Sequence, residues 1–148
     1  MSNSLIIRQA NKQEYEDMID LQWKVLFESL GQSKKRVRKR ILENQNDAYF
    51  FIGLIGSTIE GAARLKKENE NQGIVEFLAI KDDSEINRVG PSILNFIEWY
   101  ARGLKLNKIK VFVNEQYESA LENCKYNKTG KTDHEREDSS HIIWQKEL

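Results

Sequence analysis

Residues 87–102, NRVGPSILNFIEWYAR, bring the only proline of the chain next to a glycine and an arginine, where an apolar helix pattern begins. Gly90 lets a ligand approach the backbone closely. Pro91 suits a first helical turn, where its missing N–H would be unpaired anyway. A helix N-terminus exposes amides at the positive end of the helix dipole, and phosphates use such ends. Arg88 adds a positive group and Ser92 a hydroxyl. The chemistry on offer is anion binding. The same residues also serve plain structure, with Asn87 or Ser92 capping the helix and Gly90 making the turn.

Other reactive residue types are sparse. Cys124 is the only cysteine. That excludes an intrachain disulfide and a cysteine-built zinc site, and a small buried hydrophobe is the simplest role for it. His134 and His141 lie seven apart with no third ligand at a clear spacing, so no metal site is expected. KKRVRKR, 34–40, could contact the phosphates of a nucleic acid or an acidic acceptor. The chain as a whole balances 23 basic against 23 acidic residues, which favours a solvated helix face, and a nucleic-acid partner is not expected. Trp23, Phe27, Tyr49, Phe50 and Phe51 read as core, with Trp23 and Phe27 able to line an acceptor pocket.

The elements that must position these residues follow from periodicity. The 148 residues contain no linker rich in Pro, Gly or Ser, so one domain, 1–148, is expected. No run of 18 apolar residues suggests a membrane span, and a single cysteine fits a reducing, cytoplasmic compartment. SLIIRQA is a short strand. Residues 11–31 form a helix opened by Asn11 and Glu14 in capping-box spacing, with Tyr15, Met18, Ile19, Gln22, Val25 and Leu26 at helical intervals and Gly31 as its stop. A second, basic helix spans 33–47. AYFFIGLI and TIEGAARLKK are strands joined by Gly56-Ser57, a two-residue hairpin signal. GIVEFLAI is nearly continuous in apolar residues, which suits a central strand covered on both faces. A helix from Pro91 to Leu106, a strand at 107–115, a short helix at 115–126 and strands at 131–137 and 139–148 complete the order β-α-α-β-β-β-α-β-α-β-β. That order is an α+β fold built on a mixed sheet.

The order, with an apolar central strand, a glycine-bearing turn and a helix, resembles the GNAT superfamily of N-acetyltransferases over essentially the whole chain. In that family the strand is followed by Q/R-x-x-G-x-G/A; here NRVGPS sets Asn87 at the first position, Gly90 at the glycine and Ser92 at the small final residue. The resemblance implies a mixed sheet of about seven strands with about four helices, and acetyl-CoA as cosubstrate. It implies that the amides around Arg88, Val89, Gly90, Ser92 and Ile93 hold the pyrophosphate, and that the backbone of Phe77, Leu78, Ala79 and Ile80 pairs with the pantetheine arm. NEQYESALENCKY is similar to the family's N-x-x-A-x-x-L-Y-x-K-x-G-F: Asn114 matches the cofactor-touching Asn and Tyr126 the final aromatic. Tyr117 stands where Ala is usual, Leu121 where the general-acid Tyr is usual, and Lys125 where Gly is usual. Pro91 removes one amide from the cradle.

Acetyl transfer to an amine needs a base for the amine, a donor for the developing oxyanion and an acid for the leaving thiolate. The resemblance puts Glu76 in the base role, with an ion-pair or exposed sheet residue as the alternative. It puts Tyr117 first and Tyr126 second for the acid, with ordinary packed tyrosines as the alternative. Two functions follow as expectations: an acetyl-CoA-dependent N-acetyltransferase acting on a primary amine of a small molecule, peptide or lysine, or a GNAT-like module that binds acyl-CoA or a partner without catalysis. A homodimer is common in the family. No motif names the acceptor.

Overall fold

The computed structural model describes residues 4–132 and 141–148. Seven strands form one sheet in the order β1-β2-β3-β4-β5-β7-β6. Strands β1 (Leu5–Gln9), β2 (Ala48–Ile55), β3 (Thr58–Lys67) and β4 (Gln72–Ile80) run antiparallel, one after the next. Strand β5 (Lys108–Val113) lies parallel to β4, and β7 (His141–Glu147) sits between β5 and β6 (Asn127–Thr132), antiparallel to both. Four α-helices cover the sheet: α1 (Tyr15–Leu26), α2 (Lys34–Ile41), α3 (Ile86–Gly103) and α4 (Glu118–Asn123). The expected α+β fold with a mixed sheet and its element order is the one observed. The expected boundaries shift by several residues, most at the end of α2, which stops at Ile41, and at the start of α3, which begins at Ile86; the expected last hairpin falls partly on residues 133–140, outside the described residues.

Each face of the sheet is a separate core. Phe50 and Ile52 point with Met18, Ile19 and Phe77 toward α1 and α2. Phe51 and Leu65 point with Leu78, Ile93, Leu94 and Ile97 toward α3 and α4. Alternation along β2 sends successive apolar side chains to opposite faces, which is why AYFFIGLI is apolar throughout rather than every second residue. The β2–β3 connection turns at Gly56, whose φ of +63° lies in the left-handed region that glycine reaches without steric penalty.

Helix α1 is preceded by a one-turn 3-10 segment (Lys12–Glu14), where the Glu14 carboxylate accepts from the Asn11 amide at 3.0 Å. Its far end passes through a second 3-10 turn and stops at Gly31, φ +76°. The basic helix α2 is clamped against α1. Lys34 pairs with Asp20 at 2.6 Å and Arg38 with Glu16 at 2.8 Å. Val37 and Ile41 bury its thin apolar edge. Part of the basic block is therefore a helix–helix clasp, not a phosphate-gripping face.

Helix α3 lies close on the sheet because glycines pave its bed. Gly53 and Gly61 face each other across β2 and β3. A Cβ at Gly61 would stand 2.8 Å from Ile93 Cδ1 and 2.9 Å from Val89 Cγ1. Gly61→Val therefore forces α3 off the sheet and is expected to destabilise the protein by about 1–3 kcal/mol. Gly103→Ala, at a helical site with nothing within 4 Å of the added atom, is expected to be neutral or mildly stabilising. Urea unfolding of the two variants beside the parent checks both.

Candidate functional site

The parallel β4–β5 pair holds for four residues only, from Gln72 opposite Lys108 to Val75 opposite Val111. Beyond that the strands part. The cause is in β4: Phe77 has φ +56°, a left-handed conformation that a non-glycine residue rarely adopts. The register against β3 shifts at the same place, with Ala62 opposite Ala79 but Arg64 opposite Glu76. This is a β-bulge, which bends a strand and increases its twist. It also resets the alternation. Phe77 joins the α1 face, while Leu78 and Ile80 both return to the α3 face. A buried glutamine fixes the bulge, since Gln22 Nε2 of α1 donates to the Phe77 carbonyl at 3.0 Å. Gln22 is the site residue that sequence reasoning missed. Its signal was a lone polar side chain inside the apolar stripe of a helix.

The parted strands leave a slot with Phe77 and Leu78 on one wall and Phe112, Val113, Asn114 and Tyr117 on the other. Its volume is about 30 Å³, room for about one or two waters. Tyr117 lines it. The side chain is fully buried, and its hydroxyl accepts from the Ile80 amide at 3.1 Å. Burial pushes its phenol above the usual tyrosine range, so it stays protonated at neutral pH. Asn114 lies at the slot mouth and caps the following 3-10 turn, accepting from the Gln116 amide. Leu78, Ala79 and Ile80 lie on β4 beyond its last β5 partner, beside this slot. Leu121 is packed in the α3-side core, so no hydroxyl stands at that position.

The other two candidate catalytic side chains are held by partners, Glu76 within the slot lining and Tyr126 away from it. Glu76 is buried and accepts from Arg64 Nη2 at 2.8 Å. Arg64 Nη1 in turn donates to the carbonyls of Ile41 and Glu43 at the end of α2. Glu76 is thus the anion of a structural ion pair and not a freely available base. Tyr126 is buried away from the slot, where its hydroxyl donates to Glu98 Oε2 at 3.0 Å; burial and the Glu98 charge hold it far above the ordinary phenol range. Lys146 Nζ closes that cluster on Glu98 Oε1 at 2.9 Å. Cys124 is buried with its thiol pushed up to about 11, chiefly by desolvation, which suits the packing role.

The anion cradle is displaced. Helix α3 begins at Ile86, after a 3-10 turn (Asp83–Glu85), so Pro91 lies inside the helix and not at its first turn. Gly90, Ser92 and Ile93 are interior helical residues whose amides belong to the helix ladder. Val89 and Ile93 are fully buried core residues. Gly90 serves helix packing: a Cβ there would be 3.3 Å from Ala120 Cβ of α4. Ser92 Oγ donates back to the Arg88 carbonyl at 2.9 Å. Asn87 Oδ1 accepts from Ser119 Oγ at 2.8 Å, tying α3 to α4, and Arg88 pairs with Glu85 at 3.3 Å. The start of the helix instead carries Asp82, Asp83 and Glu85, with Asp82 accepting from both the amide and the hydroxyl of Ser84. These hydrogen bonds hold the Asp82 carboxyl below its usual range. Acids at a helix start satisfy the dipole, but they also repel an incoming diphosphate. His134 lies outside the described residues, and no group of three His, Cys, Asp or Glu able to hold a metal occurs among the described residues. No helix is long and apolar enough to cross a membrane among the described residues.

No family model matches the sequence, and no curated protein matches it. Solved structures do. A probable acetyltransferase from Staphylococcus epidermidis superposes with a TM-score of 0.75 at 16% identity, covering 98% of this chain and 99% of that one. An aminoglycoside 6'-N-acetyltransferase complexed with coenzyme A gives a TM-score of 0.77 at 12% identity over 96% of each chain. An acetyltransferase of the GNAT family from Staphylococcus aureus Mu50 gives 0.75 at 12% identity over 98% and 99%. Their sheets and helices correspond to this one from end to end, and the chain therefore has the fold of the GNAT acetyltransferases.

Proposed function

We propose that this protein is an acetyl-CoA-dependent N-acetyltransferase whose acceptor is a primary amine of a small molecule, peptide or lysine. The observation that carries the proposal is the parted β4–β5 pair, with the bulge at Phe77 turning the β4 edge toward the slot lined by Leu78, Phe112 and Tyr117. An extended arm bearing amide groups can add to such an edge as a strand does. In this proposal the arm of acetyl-CoA runs along Leu78, Ala79 and Ile80, and its sulfur end comes to Tyr117, with Asn114 at the mouth. A groove of about 790 Å³ opens on the other side of Ile80, between α1 and the β2–β3 turn. Asp17 and Asp83 on its wall attract an ammonium group, with Lys24 and Lys81 set against them. That supports an amine as the acceptor.

The reaction balances simply. The neutral amine nitrogen attacks the thioester carbonyl carbon, and a β4 amide donates to the developing oxyanion. The carbon–sulfur bond then breaks, Tyr117 protonates the departing thiolate and regains its proton from water, and the amine proton leaves to water. The products are the acetamide and free CoA thiol. Glu76 has no step in it.

A second reading has its own support. Asp82, Asp83 and Glu85 stand at the α3 start where a diphosphate would lie, which favours a GNAT-fold binding module that has given up acyl-CoA chemistry. Thermal unfolding separates the two. Acetyl-CoA at about 100 times its dissociation constant should stabilise the fold by about 2.7 kcal/mol, read as a melting shift of several degrees. No shift at millimolar acetyl-CoA, with ATP as control, would leave the binding-module reading. On the catalytic reading, Tyr117→Phe should slow thiol release with an amine library by about 100-fold. Glu76→Gln should leave turnover nearly intact yet lower stability by about 3–5 kcal/mol, because Arg64 loses the partner of a buried charge.

A further inference from the structure

The β4 edge beside the slot is already taken by a side chain of the protein itself. Three observations converge on Tyr117. Its side chain is fully buried in the α3-side core and lines the slot, which has about 30 Å³ of space. Its hydroxyl holds the Ile80 amide at 3.1 Å, on a stretch of β4 that has no β5 partner. It ends a 3-10 turn of three residues, Glu115–Tyr117, that is capped by Asn114 and leads directly into helix α4.

We propose that Tyr117 is a built-in plug of the acyl-CoA slot, occupying in the unliganded protein the place of the ligand's amide-bearing arm and taking the hydrogen bond that arm would make to Ile80. This rests on the acyl-CoA reading above and adds to it how the site is regulated. A ligand must displace the phenol before it can bind. Ligand affinity is then lowered by the fraction of molecules in which the plug is withdrawn. The hydroxyl supplies part of the closing force and the buried ring the rest. Since Tyr117 is also the proposed acid, withdrawal carries the phenol from the Ile80 amide toward the sulfur. Removing it should therefore strengthen binding while weakening turnover, a split that loss of packing alone does not produce.

The test is calorimetric titration of coenzyme A into the parent protein, Tyr117→Ala and Tyr117→Phe, with adenosine 3',5'-bisphosphate, which lacks the arm, as control. Melting curves first establish that each variant is folded; Tyr117→Phe keeps the ring and serves if the alanine variant does not fold. The expected result is a dissociation constant for coenzyme A at least about tenfold lower in Tyr117→Ala, a smaller gain in Tyr117→Phe, and no change for the bisphosphate. Equal coenzyme A affinity in parent and variants, or weaker binding in a folded variant, would overturn the plug while leaving the acyl-CoA reading standing. Absence of coenzyme A binding in all three proteins would overturn both.

Discussion

One hydrogen bond organises the centre of this molecule. Gln22 of α1 reaches through the core to the carbonyl of Phe77 and holds a bulky residue in a left-handed conformation. Strain of this kind persists only where the surroundings over-determine it. Here Phe77 is also flanked by the Phe27 ring, 6.1 Å away between centroids, and by the Arg64 guanidinium at 5.0 Å. Everything chemically interesting depends on the result. The bulge turns Leu78 and Ile80 back to the α3 face, ends the β4–β5 pairing and creates the slot.

The charged groups around the slot are arranged for structure before chemistry. Arg64 and Glu76 neutralise each other under the sheet while Arg64 also holds carbonyls at the end of α2, which joins β3, β4 and that helix by one side chain. Glu98 is shared by Tyr126 and Lys146 on the opposite face. A fold that spends its buried ions on such joints has few left to act as bases, so proton traffic in the proposed reaction passes through Tyr117 and water.

The element order, the mixed sheet and the two-sided burial of β2 and β4 were legible in the apolar spacing alone, because both faces of the sheet are covered and the strands show it. The start of α3 was not. Pro91 and Gly90 look like a helix beginning, yet Ile86, Val89, Ile93 and Ile97 continue the apolar stripe five residues upstream, and the cap is Asp82, which accepts from the Ser84 amide of the 3-10 turn leading into α3. Proline outweighed periodicity because its cost inside a helix is large, yet at the sixth residue of α3 the helix accepts it. The candidate site was legible as a region, from Glu76 to Asn114 and Tyr117. It was not legible residue by residue, because an ion pair with Arg64 or a plug against Ile80 is a fact of three-dimensional neighbours. Nothing local to Phe77 announces a left-handed residue.

The four paired residues between β4 and β5 have a mechanical meaning as well. On one side of that seam lies an antiparallel meander, β1 to β4, and on the other the group β5, β7 and β6. The seam joins Gln72 to Lys108, positions much farther apart along the chain than the partners in the β2–β3 hairpin. It is also the shortest ladder in the interior of the sheet. The two half-sheets are thus like pages bound by a short spine, with α3 laid across the fold. Contacts of such long sequence separation form late and at an entropic disadvantage. The sheet has its narrowest seam where the slot begins, so an opening that admits a ligand there parts the fewest strand partners.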